Sequence, residues 1–114
     1  MRPLDFLQQI NTHNFESFAL DTYDKQYASN PIYRQFVDTL SRPRPRQLAE
    51  IPFLPISFFK SHEVKTESAL VQKVFLSSGT TGQERSRHFV TDLNWYNDSL
   101  SQGFENVFGP VSDF

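Results

Sequence analysis

The sequence predicts a mixed α/β class fold, more narrowly α+β, with N-terminal helices, then a β-hairpin, then a C-terminal helix. Apolar residues follow helical spacing over 14–40 and again over 93–108. Two short runs rich in β-branched and aromatic residues, 71–77 and 87–91, indicate strands. Six hydroxyl-bearing or glycine residues, 77–82, close the first run. We therefore expect these six residues to form the loop of the hairpin.

Two helices, preceded by a shorter one, are predicted in the first 40 residues. Over 14–29 the apolar positions recur with a period of 3.6 residues, and Asn14 stands at the expected N-cap. Asn30 and Pro31 end this helix and begin the next, with Asn30 as the cap and Pro31 as the first helical residue. A shorter helix is predicted before both, and its apolar residues are Leu4, Phe6, Leu7 and Ile10.

Proline-rich segments separate the helices from the hairpin. The segment SRPRPRQ, 41–47, predicts an extended, solvated connection. Its arginines belong either to a basic surface loop, which the composition favours, or to a contact with an anionic partner. The segment IPFLPISFFK, 51–60, is strongly apolar, but Pro52 and Pro55 exclude a regular helix or a central strand. We expect it to be a buried irregular or edge segment that covers a core or lines a pocket.

The last helix is bounded by clear capping signals. Either Thr91 or Asp92 is expected to cap its N-terminus, because both residue types accept hydrogen bonds from backbone N–H groups. Gly109 and Pro110 are expected to end it.

The composition argues against several functional classes. A net charge of -2 argues against a nucleic-acid partner, which usually requires a basic patch. The chain has no cysteine, so disulfides, thiolate zinc sites and a cysteine nucleophile are excluded. It has no apolar run near the ~18 residues of a membrane helix, and its N-terminus lacks the apolar centre of a signal peptide. We expect a cytoplasmic protein without a membrane span.

The loop of small residues is a candidate phosphate site. Glycines adopt positive φ, which allows successive N–H groups to point into one concavity, and the hydroxyl groups add donors. Arg85 and Arg87 supply positive charge, and guanidinium groups match phosphate oxygens. His88 either reaches a phosphate or is a strand residue hydrogen-bonded nearby. The candidate site residues are Ser77, Ser78, Gly79, Thr80, Thr81, Gly82, Arg85, Arg87 and His88.

Other interpretations of this region were weighed against a phosphate site. Gly, Ser and Thr are common in plain polar loops, so an ordinary hairpin loop is the alternative. A Walker loop is excluded because Glu84 stands where its second glycine belongs. A dinucleotide-binding fingerprint is excluded because no third glycine follows Gly82 and the next predicted element is a strand. No histidine pair has metal-ligand spacing, and no G-x-S-x-G elbow is present.

The hexapeptide SSGTTG resembles the phosphate-binding signature of the adenylate-forming superfamily, roughly [ST]-S-G-[ST]-T-G-x-P-K. The first six positions match, whereas Glu84 replaces the usual proline and Arg85 the usual lysine. Together with FLPISFFKSHEV at 53–64 and a Trp-Tyr pair in the following helix, the segment FLSSGTTGQERSRHFV at 75–90 resembles the acyl-protein synthetase branch. That branch includes the fatty-acid-activating component of bacterial luminescence systems. The resemblance covers roughly residues 50–110.

This resemblance implies a reaction and a role for each matched residue. It implies that residues 77–82 wrap the β- and γ-phosphates of ATP, that Arg85 replaces the lysine, and that Arg87 and His88 keep the pattern of the branch. The implied reaction is attack of a carboxylate on the α-phosphorus of ATP, which gives an acyl-adenylate and pyrophosphate. Mg²⁺ is the implied metal. A thiol or another acceptor then takes the acyl group, as in a ligase.

Members of the superfamily are much longer than 114 residues, and their adenine-binding and catalytic lysine segments follow the phosphate loop. We therefore expect residues 1–114 to be a single truncated domain, with a helical region at 1–46 and a phosphate-loop region at 47–114. A carboxylic acid and ATP would be ligands of the full-length parent, and this chain alone would be inactive. Its many aromatic residues predict self-association. The alternative is a small, non-catalytic interaction or anion-binding module.

Overall fold

The computed structural model describes residues 8–78, 85–110 and 112, and it is a mixed α+β arrangement, as predicted. Within these residues no helix has the length and apolar character needed to cross a membrane. The predicted helix around Leu4 to Ile10 falls mostly on residues 1–7, outside the described residues. The elements are α1 (Phe15–Ser29), α2 (Pro31–Thr39), a 3₁₀ turn (Leu48–Glu50), α3 (Phe58–Ser61), β1 (Lys73–Leu76), β2 (Arg87–Val90) and α4 (Leu93–Phe108).

The N-terminal end of α1 is arranged differently from the prediction. Asn14 occupies the N-cap position, but its side chain makes no capping hydrogen bond. Its Oδ1 instead accepts from the backbone N–H of Asn11 at 2.7 Å, and its Nδ2 donates to the carbonyl of Gln9 at 2.7 Å. The predicted cap bond is therefore wrong: the side chain stabilises the turn before the helix, where local Asn hydrogen bonds compete with capping.

The junction between α1 and α2 is formed as predicted. The Asn30 side chain accepts from the backbone N–H of Tyr33 at 3.2 Å, and Pro31 is the first helical residue. The Nδ2 of Asn30 donates to Oε1 of Gln26 at 3.1 Å. Asn30 is buried, and these partners satisfy both ends of its amide group. The single residue therefore ends one helix and begins the next.

Few side chains are fully buried, and aromatic contacts carry much of the packing between α1 and α2. Tyr23 and Val37 are each 7% exposed and are the buried apolar residues of the described chain. The Tyr23 ring lies edge-on to Tyr33, with centroids 6.1 Å apart, and stacks on Tyr27 at 6.0 Å. The radius of gyration is 16.3 Å, compared with about 13 Å for a compact domain of 100 residues. The arrangement is open.

The basic segment before the 3₁₀ turn is a connection without regular structure, and it is exposed except at Pro45, which is buried. Residues 42–46 adopt no helix or strand. Arg44 forms an ion pair with Asp24 of α1, and its Nε donates to Oδ1 at 3.0 Å. This hydrogen bond and the charge of Asp24 raise the pKa of Arg44. Arg44, one of the arginines for which an anionic partner is an alternative, therefore has a carboxylate partner inside this chain.

The segment 51–60 is irregular until Phe58, where the short helix α3 begins. The prediction that it is buried is wrong, because Phe53 is 83% exposed and Ile56 is 74% exposed. No described element packs over these two side chains. Pro55 still shapes the segment, since its carbonyl accepts from the N–H of Phe58 at 3.0 Å. The apolar sequence correctly indicated contact with a pocket, because Phe53 lines one.

The hairpin is antiparallel, and its strands are slightly shorter than predicted. Phe75 of β1 lies opposite His88 of β2, which places both side chains on one face. Phe75 stacks on Tyr96 of α4 at 4.7 Å between ring centroids, and the His88 ring lies 4.9 Å from Phe59 of α3. Because an isolated hairpin is only marginally stable in water, these ring contacts from two helices stabilise it.

Helix α4 begins and ends at the predicted residues. Of the two predicted caps, Asp92 is the one observed: its carboxylate accepts from the N–H groups of Asn94 and Trp95 at 3.0 and 3.3 Å. Gly109 ends the helix with φ 86°, a conformation that favours glycine. The N–H of Leu93 also donates to the Gln72 side chain at 2.7 Å, which connects the helix to the hairpin.

Candidate anion-binding site

The mouth of the hairpin loop is held together by two serines. The N–H of Ser77 donates to the carbonyl of Ser86 at 3.0 Å, and the N–H of Ser86 donates to Oγ of Ser77 at 2.9 Å. Ser86 is buried, whereas Ser78, the next residue of the loop, is exposed. The predicted site residues Gly79, Thr80, Thr81 and Gly82 lie outside the described residues. The described part of the loop is therefore its base, and that base is closed by hydrogen bonds.

A cavity of about 520 Å³ lies beside this base. Its described lining contains three cations and no acidic residue: Lys60, Ser61, Leu76, Arg85 and Arg87. The register pairs Leu76 with Arg87, so this strand pair forms one part of the wall. All three cationic residues are exposed to solvent. A concave surface lined by charges of one sign attracts ligands of the opposite sign.

The cations of this cavity are not neutralised by carboxylates of the described chain. Within residues 8–78, 85–110 and 112 the observed salt bridge joins Arg44 to Asp24, and neither residue lines this cavity. Arg87 instead lies over the Phe89 ring, with its guanidinium carbon 5.5 Å from the ring centroid. A cation–π contact of this kind orients the side chain and leaves its positive charge intact. Among the described residues, no carboxylate therefore offsets the positive charge of this cavity.

Helix α3 brings Lys60 to the cavity through two neighbouring rings. Phe58 packs edge-on against Phe36 of α2, with centroids 5.5 Å apart, while Phe59 packs against His88 of β2. Lys60 follows directly and lines the cavity. Lys60 is not among the site residues predicted from the sequence, although it lies in the PISFFK segment that carries part of the resemblance. The signal was a basic residue placed directly after two aromatic anchors.

His88 is placed next to the cavity but does not line it. Its side chain is half-buried, and the ring lies tilted by 30° against Phe59. The contact accounts for His88 as a strand residue that holds α3 against the hairpin. Within the described chain its ring makes no hydrogen bond, so that part of the alternative interpretation is not observed. A contact between His88 and phosphate stays a prediction.

A larger cavity, of about 610 Å³, lies against α1 and residues 51–54 and has a different character. No charged side chain is present in its described lining, which is largely aliphatic and aromatic. The apolar positions predicted for α1, among them Phe15, Phe18 and Tyr23, form one of its walls. An uncharged wall does not compensate a phosphate ligand. The smaller, cationic cavity is the candidate anion site.

The described residues offer no protein-based magnesium site. No group of three His, Cys, Asp or Glu side chains within them is arranged to hold a metal ion. Mg²⁺ usually requires only one or two carboxylates when phosphate oxygens and water complete its shell. The charged residues at the cavity are cations, which attract phosphate and repel a metal ion. The charged side chains of the described lining suit an anion, and that lining contains no carboxylate.

Comparison with known proteins gives no relative: no protein-family model, no curated protein and no solved structure matches this chain. A functional interpretation of this chain therefore depends on the residues of the motif and on their arrangement. Of the nine predicted site residues, five are described: Ser77, Ser78, Arg85, Arg87 and His88. Arg85 and Arg87 are brought together in the cavity wall beside the bonded base at Ser77.

Proposed function

We propose that this chain supplies the phosphate-binding hairpin of an ATP-dependent, AMP-forming acyl-activating enzyme of the acyl-protein synthetase type. One observation carries the proposal. The SSGTTG sequence begins at the closed base of the hairpin loop, and this base lies beside a cavity lined by Lys60, Arg85 and Arg87. Hydroxyl and N–H donors together with positive charge stabilise a phosphate ligand, and the SSGTTG sequence supplies the residue types for the former while the cavity supplies the cations.

The proposed reaction couples a carboxylic acid to the nucleotide. A carboxylate oxygen attacks the α-phosphorus of ATP, the bond from that phosphorus to the bridging oxygen breaks, and pyrophosphate leaves. The products are an acyl-adenylate and pyrophosphate. A thiol or another acceptor then attacks the acyl carbon, the bond from that carbon to the AMP oxygen breaks, AMP leaves, and the proton of the acceptor passes to solvent. Negative charge accumulates on the leaving pyrophosphate, so fixed cations and N–H donors near it lower the barrier.

Arg85 is proposed to replace the lysine that is usual in the superfamily signature. Its side chain is exposed and lines the cationic cavity. Arg85 directly precedes Ser86, whose N–H donates to Oγ of Ser77. A guanidinium group donates through a planar fork, which contacts two phosphate oxygens at once, whereas a lysine acts as a point charge. Mg²⁺ is proposed to arrive with the phosphates of ATP.

A second function is an anion-binding module without catalysis. It is favoured by one observation: the three cations of the cavity all belong to the described chain, so anion binding needs no catalytic group from elsewhere. Under this function the protein binds pyrophosphate or a nucleotide triphosphate but transfers no acyl group. The two functions share a site and differ in whether a carboxylate reacts.

The deciding experiment is carboxylate-dependent exchange of labelled pyrophosphate into ATP, measured on the natural protein in its full length with Mg²⁺ and a panel of fatty, aryl and amino acids. We expect exchange with at least one acid, and Thr81→Ala and Gly82→Ala to lower it by about tenfold or more, because each changes the proposed phosphate loop. Thr12→Ala, at an exposed position outside the site, is the matched control. Exchange that is unchanged in both loop variants would refute the assignment, and phosphate binding without exchange would support the anion-binding module.

A further inference from the structure

We infer that Lys60 is the third cation of a site for a polyphosphate chain, either pyrophosphate or the β- and γ-phosphates of a nucleotide, which it forms with Arg85 and Arg87. The inference rests on the proposed function for the role of this ligand in adenylation. The binding site itself follows from the lining of the cavity. It assigns a ligand-binding role to α3, an element outside the phosphate loop.

Positive charges from three parts of the chain converge at this cavity. Lys60 comes from α3, Arg85 from the loop and Arg87 from β2, and all three line one cavity of about 520 Å³. Exposed like charges repel one another, and none of the three has a carboxylate partner in the described chain. A bound anion relieves this repulsion because it interacts favourably with each cation. Three convergent cations select a ligand with several negative charges over a singly charged one.

The backbone of Lys60 is held in place by ring packing and by a hydrogen bond. The two residues before it pack in different directions, Phe58 onto Phe36 of α2 and Phe59 onto His88 of β2. The backbone of Lys60 is also fixed, since its N–H donates to the carbonyl of Ser57 at 3.1 Å. A side chain that extends from an anchored backbone loses less freedom when it binds a ligand. The placement of Lys60 therefore follows from the packing of the two residues that precede it.

The kinds of cation at the cavity indicate the class of ligand. The net charge of the chain is -2, so the cationic cavity is a local feature and not part of a basic surface for nucleic acid. Lysine contributes a mobile ammonium with three donors, whereas the two arginines contribute planar forks. Together they match several tetrahedral phosphates joined in a chain. The hydroxyl of Ser61, at 2.8 Å from Nδ1 of His62, already has a partner and is not required.

The test is isothermal titration calorimetry of the full chain with sodium pyrophosphate, ATP, AMP and sulfate at low salt. Unchanged protein is compared with Lys60→Ala, Lys60→Gln and Lys60→Arg. Lys25→Ala, at an exposed position of α1 outside the cavity, removes the same charge and is the control. We expect pyrophosphate and ATP to bind more tightly than AMP and sulfate. Lys60→Ala and Lys60→Gln should weaken pyrophosphate binding by roughly three- to tenfold, as for a solvent-exposed charge pair, while Lys60→Arg and Lys25→Ala keep it.

The outcomes separate this inference from the proposed function. Equal pyrophosphate affinity in unchanged protein, Lys60→Ala and Lys60→Gln overturns the inference. The proposed acyl activation is then still tested by the exchange assay. Sulfate binding as tightly as pyrophosphate, or no binding of pyrophosphate at all, overturns it as well. Weakened pyrophosphate binding in Lys60→Ala and Lys60→Gln supports it, even if the natural protein then exchanges no pyrophosphate with any acid. In that last case the proposed acyl activation fails and the polyphosphate site remains.

Discussion

Ser77 and Ser86 are joined by a reciprocal pair of hydrogen bonds across the base of the hairpin loop. One bond uses the backbone of both residues, at 3.0 Å, and the other uses the Ser77 hydroxyl oxygen as acceptor, at 2.9 Å. Ser86 is 6% exposed, so its N–H has little access to water. The Ser77 hydroxyl thus has a structural partner before any ligand is considered.

The first prediction concerns this hydroxyl group. Ser77→Ala removes the acceptor of a buried N–H, which costs about 1–3 kcal/mol when the donor stays unsatisfied. We expect urea unfolding, followed by circular dichroism, to show a loss of stability in that range. Ser78→Ala, at the next and exposed position, should leave stability unchanged. Equal stability of the two variants would contradict a structural role for the Ser77 hydroxyl.

The second prediction concerns the helix junction. Asn30→Ala removes the acceptor for the Tyr33 N–H and the donor to Gln26, and we expect a loss of about 1 kcal/mol, in the range measured for N-cap residues. Asn30→Ser keeps a capping oxygen and should retain most of the stability. Asn97→Ala, in the exposed part of α4, is the control and should not lower the urea midpoint. A serine variant as unstable as the alanine variant would show that capping is not the cause.

The third prediction concerns alkaline pH. Burial raises the pKa of Tyr33 above its ordinary value of 10.0, and its hydroxyl donates to the carbonyl of Pro52 at 2.7 Å. The folded chain therefore holds this proton more tightly than the unfolded chain does. The resulting stability is fully present below the ordinary pKa and is lost as the pH rises through the higher pKa of the folded state.

This prediction is checked with Tyr33→Phe, which carries no titrating group. We expect the urea midpoint of the unchanged protein to fall as the pH rises from about 9 to about 12, and that of Tyr33→Phe to fall less over the same range. Burial also raises the pKa of Tyr23, so part of the fall should remain in the variant. An equally steep fall in both proteins would mean that Tyr33 does not contribute to the alkaline loss of stability.

The fourth prediction compares two apolar residues of opposite exposure. Val37→Ala should lower the free energy of unfolding by roughly 1–3 kcal/mol, because Val37 is 7% exposed and its methyl groups are packed. Phe53→Ala removes a larger side chain but should change stability by less than about 0.5 kcal/mol, since Phe53 is 83% exposed. Urea unfolding of both variants is the measurement. A larger loss for Phe53→Ala than for Val37→Ala would mean that a surface covers Phe53 in solution.

Local signals predicted the ends of most elements. Asn30 with Pro31, Asp92 and Gly109 each act through hydrogen bonds or backbone angles within a few residues, so sequence spacing is sufficient to place them. Asn14 is the exception, because its side chain had a competing local partner at Asn11. The antiparallel hairpin was also predictable, since two strands joined by a short loop pair in that direction.

Burial and the full extent of the site were less predictable. The apolar character of Phe53 and Ile56 is visible in the sequence, but exposure depends on which other elements pack over them. The role of Lys60 was missed because it depends on contacts of Phe58 and Phe59 with elements that are distant in sequence. The motif indicated Arg85 and Arg87, and the structure brings both to one cavity. Phosphate binding and self-association stay predictions.

The two adjacent rings of α3 constrain insertions and deletions far more than they constrain point substitutions. Successive residues of an α-helix are rotated by about 100° around its axis. One residue inserted between Phe59 and Lys60 would leave both rings in place but turn the ammonium away from Arg85 and Arg87. Deletion of Lys60 would place Ser61 at its position. The spacing from the ring pair to the lysine is therefore a length that any natural variant of this protein must preserve to keep its third cation at the cavity.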